Sequence, residues 1–251
     1  CAASVWANPK EYVVEERDTQ ATRMNRGELY HSLPLYIDEL TNAKGDELSD
    51  LAYQLSGGKQ RNRMSGSSNV ERVRGKSWSL LSVSTGNTSF VERVSMVKDM
   101  PKAEAQRIME TRAVKKFSET ADKSETDKFA NSIENVYGHA GLPYIQYIMA
   151  NKEEVKALMQ RVQLNIDREA GLTPENRFWS AGAASTLTGL IIAKRLGLVN
   201  YDIKKLTKYV IQLLKDNLAV VSGMDCSASD TLNDYIHEHW GSILKIKSTD
   251  D

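Results

Sequence analysis

The stretch "LPLYIDELTN", residues Leu33–Asn42, decides the fold prediction for this chain. Its apolar run from Leu33 to Ile37 is typical of a buried parallel strand, and two acids, Asp38 and Glu39, follow directly. In open α/β sheets, ligands bind beyond the carboxyl ends of the strands. The stretch therefore predicts a parallel sheet that carries two carboxylates at its ligand-binding edge.

The two acids have two interpretations. In a nucleotide hydrolase, Asp38 at the end of a strand can hold Mg²⁺, and a neighbouring Glu39 can polarise the attacking water. Alternatively, Asp and Glu are common just ahead of a helix, where they interact favourably with the positive end of the helix dipole. Taken without their surroundings, the two residues favour the helix-cap interpretation.

Composition and charge exclude several classes of protein. The chain has 251 residues, enough for one large or two small domains. It carries 33 basic and 33 acidic residues, so its net charge indicates no partner. No apolar run reaches the roughly 18 residues of a membrane span, which predicts no membrane partner. Cys1 and Cys226 lack the spacing of metal ligands and favour a reducing, cytoplasmic location.

The first part of the chain, residues 1–114, alternates strand-like and helix-like segments. Helices are predicted at Thr22–His31 and Asp46–Ser56 from apolar residues at helical spacing. Besides "LPLYID", strands are predicted around Tyr12–Val14, within "SWSLLSVSTGN" and within "AQRIMETRA". Such alternation predicts an α/β fold with a parallel sheet.

The second part, residues 115–222, has the three-and-four apolar spacing of helices. The predicted helices here are Ser124–Val136, Leu142–Ala170, Pro174–Leu196 and Ile203–Leu218, and a further helix, Ser229–Trp240, is predicted in the part that follows. Residues 223–251 are predicted to begin a further helical or winged-helix-like segment, and "SILKIKS" could open another strand. The predicted organisation is therefore an α/β core followed by a mainly α-helical region.

A second polar strand end lies in "SLLSVSTGN". It places Ser84, Thr85 and Asn87 after an apolar run, and in ring ATPases a polar residue on this neighbouring strand contacts the γ-phosphate or positions the water. The alternative is an ordinary turn, which Gly86 would suit. Both interpretations stay open at this point.

A strongly basic segment, "GGKQRNRMSGSSNVERVRGK", separates these two strands and is predicted to be an exposed loop or hairpin. It could contact the phosphates of single-stranded DNA, or reach a neighbouring subunit's nucleotide as an arginine finger. The alternative is a solvated loop. Glu71 is the one acid among its six cations: Lys59, Arg61, Arg63, Arg72, Arg74 and Lys76.

The sequence contains no phosphate-binding loop of the form G-x-x-x-x-G-K-[ST]. Gly57-Gly58-Lys59 is no substitute, because Gln60 stands where Ser or Thr is needed. Either the protein binds no nucleotide in this way, or the loop precedes Cys1 in a longer protein. Because the chain begins without Met, we interpret residue 1 as a truncation point rather than the lipid-bearing Cys of a lipoprotein.

The order of four motifs resembles the ATPase domain of phage and mobile-element replication proteins of the primase–helicase type, related to an uncharacterised helicase-like domain family. These motifs are "AASVWANP", "LPLYIDELTN", "YQLSGGKQRNRM" and "WSLLSVSTGNTS". Two further segments, "ENVYGHAGLPYIQYI" and "LTPENRFWSAGAASTLTGLIIAKRLGL", extend the resemblance to about Leu218. In that family the phosphate loop directly precedes "AASVWG", whereas Ala7 here replaces the Gly and the loop is missing.

The resemblance implies a partial P-loop NTPase core, of the AAA+ or RecA-like kind, in a DNA helicase that uses ATP and Mg²⁺. It implies that Asp38 binds the Mg²⁺, that Glu39 activates water and that Thr85 or Asn87 senses the phosphate. It also implies a homo-oligomeric ring with nucleotide between subunits.

Two arginines are candidates for nucleotide contacts. The resemblance places Arg107 where such ATPases keep an arginine for the nucleotide, in cis or from a neighbour, although it could be an ordinary strand-edge residue. Arg177 could be a second phosphate-sensing arginine near a helix start. It could equally pair with Glu175 or stack on Trp179.

The leading hypothesis from sequence is thus the motor domain of an ATP-driven DNA helicase. A non-enzymatic nucleic-acid-binding or assembly module is the first rival, because it accounts for the missing phosphate loop and keeps the basic hairpin. A hydrolase that uses Asp38 and Glu39 with metal alone is the second rival, and it lacks the additional acids or histidines that such a site needs.

Overall fold

A computed structural model gives the fold over most of the chain. It describes residues 2–15, 17–60, 77–98, 101–113, 123–224 and 228–242. Within this part of the chain, no helix is both long and apolar enough to cross a membrane.

The first half combines short helices with a three-stranded sheet. A 3₁₀ helix, Ala2–Val5, opens the chain. The helices and strands that follow are α1 (Pro9–Tyr12), β1 (Val14–Glu15), α2 (Gln20–Tyr30), β2 (Leu35–Asp38), α3 (Gly45–Gly57), β3 (Ser82–Ser84), α4 (Phe90–Ser95) and α5 (Lys102–Ala105).

The sheet has the order β1-β2-β3, and both pairs of strands are parallel. In register, Val14 lies opposite Ile37, and Leu35 lies opposite Ser82. Leu35 and Ile37 of the central strand are 0% and 1% exposed, because α2 and α3 cover the sheet with Met24 and Leu48 among others. The predicted parallel α/β sheet is therefore confirmed.

A tyrosine pair fixes the start of β2. The Tyr12 hydroxyl donates to the Pro34 carbonyl at 2.8 Å, and the Tyr30 hydroxyl donates to the Tyr12 carbonyl at 2.9 Å. The two rings stack with centroids 4.4 Å apart. Burial raises the pKa of Tyr12, and the neighbouring Tyr30 and Tyr36 raise it further, so Tyr12 keeps the proton that it donates.

The end of α3 returns the chain to β3. Gly58 ends the helix with φ +65°, and a Cβ there would lie 2.7 Å from the Trp78 carbonyl oxygen. Trp78 donates its backbone N–H to the Gly58 carbonyl at 2.8 Å and its indole N–H to the Leu55 carbonyl at 3.0 Å. Gly58 thus terminates a helix, which agrees with the prediction that Gly57-Gly58-Lys59 is not a phosphate loop.

The second half is helical. Its α-helices are α6 (Lys123–Asn135), α7 (Gly141–Ala150), α8 (Lys152–Ala170), α9 (Arg177–Arg195), α10 (Ile203–Ser222) and α11 (Ala228–Glu238), with 3₁₀ helices at Pro174–Asn176 and Trp240–Ser242. The core of α8, α9 and α10 buries Ile166, Trp179 and Leu214, and Val91 and Ala105 of the first half join it. The division of the chain at residue 114 stays a prediction, as does the one at residue 223.

One predicted strand is displaced by two residues, and another was wrong. Tyr12 belongs to α1, which begins with Pro9 behind an Asn8 side chain that accepts from the Lys10 N–H, and the strand covers Val14–Glu15. Within "AQRIMETRA", α5 ends at Ala105 and residues 108–113 are irregular.

Side chains replace strand pairing over residues 108–110. The Ile108 carbonyl accepts from the Trp179 indole N–H at 2.8 Å. Asn217 bonds both the N–H and the carbonyl of Glu110, at 3.0 and 2.9 Å. Because these side chains satisfy the backbone, the segment needs no neighbouring strand.

Two boundaries in the helical half also differ. The predicted helix Leu142–Ala170 is two helices, since Asn151 leaves helical geometry at φ −125° and its side chain bonds the Tyr147 carbonyl at 2.8 Å. Pro174 opens a 3₁₀ turn rather than α9 itself. The segment "SILKIKS" lies, apart from Ser242, outside the described residues.

Candidate functional site

The carboxyl ends of β2 and β3 bring Asp38 and Thr85 into contact. The Thr85 hydroxyl donates to Asp38 Oδ1 at 2.6 Å. The Thr85 N–H donates to the Ile37 carbonyl at 3.2 Å, and the Thr85 carbonyl accepts from the Leu40 N–H at 2.9 Å. The strand ladder thus continues past β3 and holds Thr85 beside Asp38.

Glu39 adopts a backbone conformation that is rare for a residue with a side chain. Its φ is +55°, in the left-handed region. Its N–H donates to the Thr85 hydroxyl oxygen at 3.1 Å, so one hydroxyl bonds both acidic residues. The Glu39 side chain is exposed and makes no hydrogen bond to the described residues, which leaves its carboxylate open to a ligand.

The helix-cap interpretation of the two acids is wrong. Helix α3 begins at Gly45 behind Lys44, six residues after Glu39. The acids of its first turn are Asp46 and Glu47. Asp38 and Glu39 therefore lie at the end of the strand and not at the start of the helix.

Arg93 of α4 holds the turn that follows the acids, and sequence reasoning missed it. One terminal nitrogen of its guanidinium donates to the carbonyls of both Leu40 and Thr41. The Thr41 hydroxyl oxygen accepts from the Asn87 N–H at 3.1 Å, so the turns after β2 and β3 are also joined directly. No sequence pattern reveals this contact, because 53 residues separate Arg93 from Leu40.

The tight approach of α4 to α3 depends on a glycine. A Cβ on Gly45 would lie 2.6 Å from the Arg93 carbonyl oxygen and 2.6 Å from a methyl of Val97. Only a residue without a side chain lets the start of α3 come so near to Arg93. Gly45 thus helps to place the Arg93 guanidinium beside the turn that follows Asp38 and Glu39.

Lys59 lies at the other end of α3 from the acids. A helix that joins two parallel neighbouring strands runs antiparallel to them. The 13 residues of α3 span about 20 Å, so the exposed Lys59 is remote from Asp38. Four other predicted nucleic-acid contacts, Arg61, Arg63, Arg72 and Arg74, lie outside the described residues, as does Lys76.

Arg107 and Arg177 contact aromatic rings and not the acids. The Arg107 guanidinium lies 4.2 Å from the centroid of the Tyr53 ring and 5.3 Å from that of Phe178. The Arg177 guanidinium lies 4.9 Å from the same Phe178 centroid. Arg107 is therefore not a strand-edge residue.

The two predicted alternatives for Arg177 were wrong as well. Its ring partner is Phe178 and not Trp179, whose indole is buried and bonded to Ile108. Glu175 accepts a hydrogen bond from the Gln106 side chain at 3.1 Å and forms no ion pair with Arg177 among the described residues.

We call Asp38, Glu39 and Thr85, at the carboxyl ends of β2 and β3, the acidic edge. This edge can contribute one carboxylate, that of Asp38, to a metal ion. Asp38 Oδ2 accepts no hydrogen bond from the described residues. Across the same residues, no group of three or more His, Cys, Asp and Glu side chains could hold a metal. Mg²⁺ is commonly bound by one or two carboxylates, waters and the phosphates of a substrate. Asp38 therefore fits Mg²⁺ bound together with a nucleotide.

The acidic edge lies outside a large groove in the described part of the chain. A groove of about 710 Å³ runs between α4, residues 108–112 and α10. Its walls include Val91, Trp179 and Leu213 but none of the acidic-edge residues. Asp38, Glu39 and Thr85 are all exposed, so this part of the chain does not enclose a substrate on its own.

Comparison with known proteins finds similarity in sequence and in fold. Residues 1–75 match the family model DUF927, a domain of unknown function, so the match takes in β1, β2 and α3. In structure the chain is similar to a protein described as "SCCmec type IV Cch - active helicase", with a TM-score of 0.69. The two folds are similar.

The structural likeness covers 97% of this chain at 18% sequence identity. The chain spans 44% of the helicase's length. No curated protein matches it. The expected resemblance to mobile-element helicases is thus confirmed for the fold, while the residue roles stay predictions.

Thr85→Val is expected to loosen the acidic edge. It removes the donor to Asp38 and the acceptor for the Glu39 N–H, and these exposed bonds together contribute about 1 kcal/mol to the free energy of unfolding. Thr85→Ser keeps the hydroxyl and is the matched control, expected to cost about 0.5 kcal/mol or less. Urea denaturation measures both. Equal losses in the two variants would show that the hydroxyl bonds contribute nothing.

Proposed function

We propose that this chain is part of the motor domain of an ATP-driven DNA helicase or translocase. The observation that carries the proposal is the contact between Asp38 and Thr85 at the ends of adjacent parallel strands. A carboxylate and a hydroxyl at this edge are the groups that a Mg²⁺-bound triphosphate needs beside its terminal phosphate. The helicase-like fold supports the same conclusion.

In this proposal each residue of the acidic edge has its own role. Asp38 holds Mg²⁺, which would neutralise negative charge on the phosphoryl group during its transfer. Glu39, whose carboxylate is exposed and without a protein partner among the described residues, orients and deprotonates the attacking water. The Thr85 hydroxyl positions both residues, and on nucleotide binding it would donate its one proton to the terminal phosphate in place of Asp38, whose carboxylate would then bind the Mg²⁺. Asn87, whose backbone bonds Thr41, is the second candidate for that contact.

The phosphate-binding loop is proposed to come from a segment that precedes Cys1 in a longer protein. β3 is an edge strand among the described residues; Val83 on it is 41% exposed, and Leu81 directly before it is 42% exposed. An edge strand with exposed apolar side chains readily pairs with a further strand. A loop that follows such a strand would reach the same edge as Asp38 and Thr85.

The complete site is proposed to lie between copies in a homo-oligomeric ring that acts on DNA. The acidic edge is exposed, so a neighbouring copy has room to cover a bound nucleotide. Lys59, the first cation of the basic segment, lies at the end of α3 opposite to Asp38, where it would contact DNA away from the nucleotide.

A non-catalytic nucleic-acid-binding module is the second candidate. It is favoured by the lack of a phosphate-loop motif in the sequence and by the six cations of residues 57–76. It predicts salt-dependent binding of single-stranded DNA without any nucleotide binding by the full-length protein.

The test is Mg²⁺-dependent ATP turnover by the full-length protein, compared with Asp38→Asn. The amide loses the charge that holds the metal, so turnover is expected to fall about 100-fold, a loss of about 2.7 kcal/mol of transition-state stabilisation. Asp46→Asn is the control, because Asp46 is an exposed acid on the first turn of α3 that does not contact Thr85. Absence of ATP binding and turnover in the unaltered protein would favour the second candidate.

A further inference from the structure

Four side chains from three parts of the chain form a stack that the acidic edge does not use. In order they are Tyr53 of α3, Arg107 after α5, and Phe178 and Arg177 at the start of α9. The Phe178 ring lies within 5.3 Å of both guanidinium carbons. We call this group the arginine stack.

Stacking leaves the hydrogen-bond donors of an arginine free. A guanidinium contacts a ring through its flat face, while its N–H groups point outward in the plane. Arg177 is exposed and makes no hydrogen bond or ion pair to the described residues. The rings also restrict the side chains, so less conformational entropy is lost when an anion binds.

The stack carries two positive charges without a paired carboxylate among the described residues. A terminal N–H of the Arg107 guanidinium donates a hydrogen bond to the Ala103 carbonyl, and the buried Nε of Arg107 has no partner among the described residues. The nearby acid Glu175 accepts instead from Gln106. The two cations share one ring, and the donors of the exposed Arg177, which makes no hydrogen bond to the described residues, are suited to the oxygens of phosphate groups.

The position of the stack separates it from the acidic edge of the same copy. Tyr53 lies eight residues beyond Gly45, or about 12 Å along α3. It is on the half of the helix that leads to Lys59, where the basic segment begins. A ligand bound at the stack therefore lies on the Lys59 side of α3 and away from Asp38.

We infer that the arginine stack binds backbone phosphates of single-stranded DNA. Single-strand sites combine cations that follow the backbone with flat groups on which bases stack, and the outer face of Arg177 is such a group. This inference rests on the proposed action on DNA but not on ATP hydrolysis. A neighbouring copy's nucleotide is the other source of the same phosphate chemistry.

The test measures the salt dependence of binding of the full-length protein to a fluorescent thymidine 30-mer. Arg177→Gln is expected to weaken binding about 3- to 10-fold at 0.1 M salt. Loss of one phosphate contact also lowers the slope of log K against log salt by about 0.7. Phe178→Leu keeps both charges but not the stacking, so it is expected to weaken binding about 2- to 3-fold without changing the slope.

Arg195→Gln is the matched control. Arg195 is an exposed arginine at the other end of α9, paired with Glu154 at 2.9 Å, and its loss is expected to leave affinity and slope unchanged. An unchanged slope in Arg177→Gln overturns the inference. If that unchanged slope comes with slower ATP turnover measured without DNA, Arg177 serves a nucleotide instead. Lack of turnover in the unaltered protein refutes the proposed motor, whereas the slope comparison still decides the role of Arg177.

Discussion

Replacing Glu39 with Gln is expected to lower ATP turnover by the full-length protein about 10²- to 10⁴-fold, the usual contribution of a general base. Gln has nearly the same size and the same backbone preferences, so the left-handed conformation at φ +55° is kept while the base is lost. The Glu39 N–H still donates to Thr85, and Asp38 keeps its position. Nucleotide binding is therefore expected to persist in a protein that cannot hydrolyse.

The measurement pairs steady-state ATP turnover with equilibrium binding of a fluorescent ATP analogue. Glu92→Gln is the control, because Glu92 is an exposed acid of α4 with no contact to Thr85. Unchanged turnover in Glu39→Gln would remove Glu39 from the mechanism.

Glu39→Gly separates the cost of the backbone from the chemistry. Glycine adopts positive φ freely, so this variant is expected to be about 1 kcal/mol more stable than the natural chain and equally inactive. Increased stability together with lost turnover would indicate that backbone strain is retained here for the sake of the carboxylate.

Replacing Trp179 with Ala is expected to lower the free energy of unfolding by about 3–5 kcal/mol. The side chain is 2% exposed and lies in the core shared by α8, α9, α10 and the first half of the chain. Truncation leaves a cavity and removes the donor to the Ile108 carbonyl. Since that bond anchors the segment after α5, we expect Arg107 to lose its place beside Phe178 as well.

Urea denaturation followed by circular dichroism measures the loss. Trp179→Phe keeps most of the apolar volume and is expected to cost about 1–2 kcal/mol, largely from the unsatisfied carbonyl. Trp240→Ala is the control, since Trp240 is 55% exposed and its loss is expected to cost less than about 1 kcal/mol. Similar losses at Trp179 and Trp240 would contradict the description of the shared core.

Local sequence patterns were sufficient to predict which residues lie at the acidic edge. An apolar run of five residues predicts a buried strand, and the residues that follow it must lie at its carboxyl end. Because neighbouring parallel strands end at the same edge, the contact between Asp38 and Thr85 follows from two predicted strands. The predicted ends of helices α2 and α3 lie within two residues of the observed ends, because the apolar residues of both helices are regularly spaced.

Local patterns misled wherever distant side chains satisfy the backbone. "AQRIMETRA" has the apolar content of a strand, but Trp179 and Asn217 bind its backbone from residues 71 and 107 positions away. Arg93 was missed for a similar reason, since an arginine on a short helix shows no sign of the carbonyls that it will meet. The aromatic partner of Arg177 could not be predicted from the sequence either, because the choice between Phe178 and Trp179 depends on which face of α9 is buried.

The sequence by itself determined the parallel α/β sheet, the order of its strands along the chain, the helical second half and the residues at the acidic edge. These features follow from hydrophobic periodicity and strand polarity, which act over a few residues. Only the tertiary structure decided the left-handed turn at Glu39, the Arg93 contact beneath it, and the stack of Arg107 and Arg177 around Phe178. These depend on side chains that meet across long sequence separations, where packing of the whole chain, and not local preference, selects the partner.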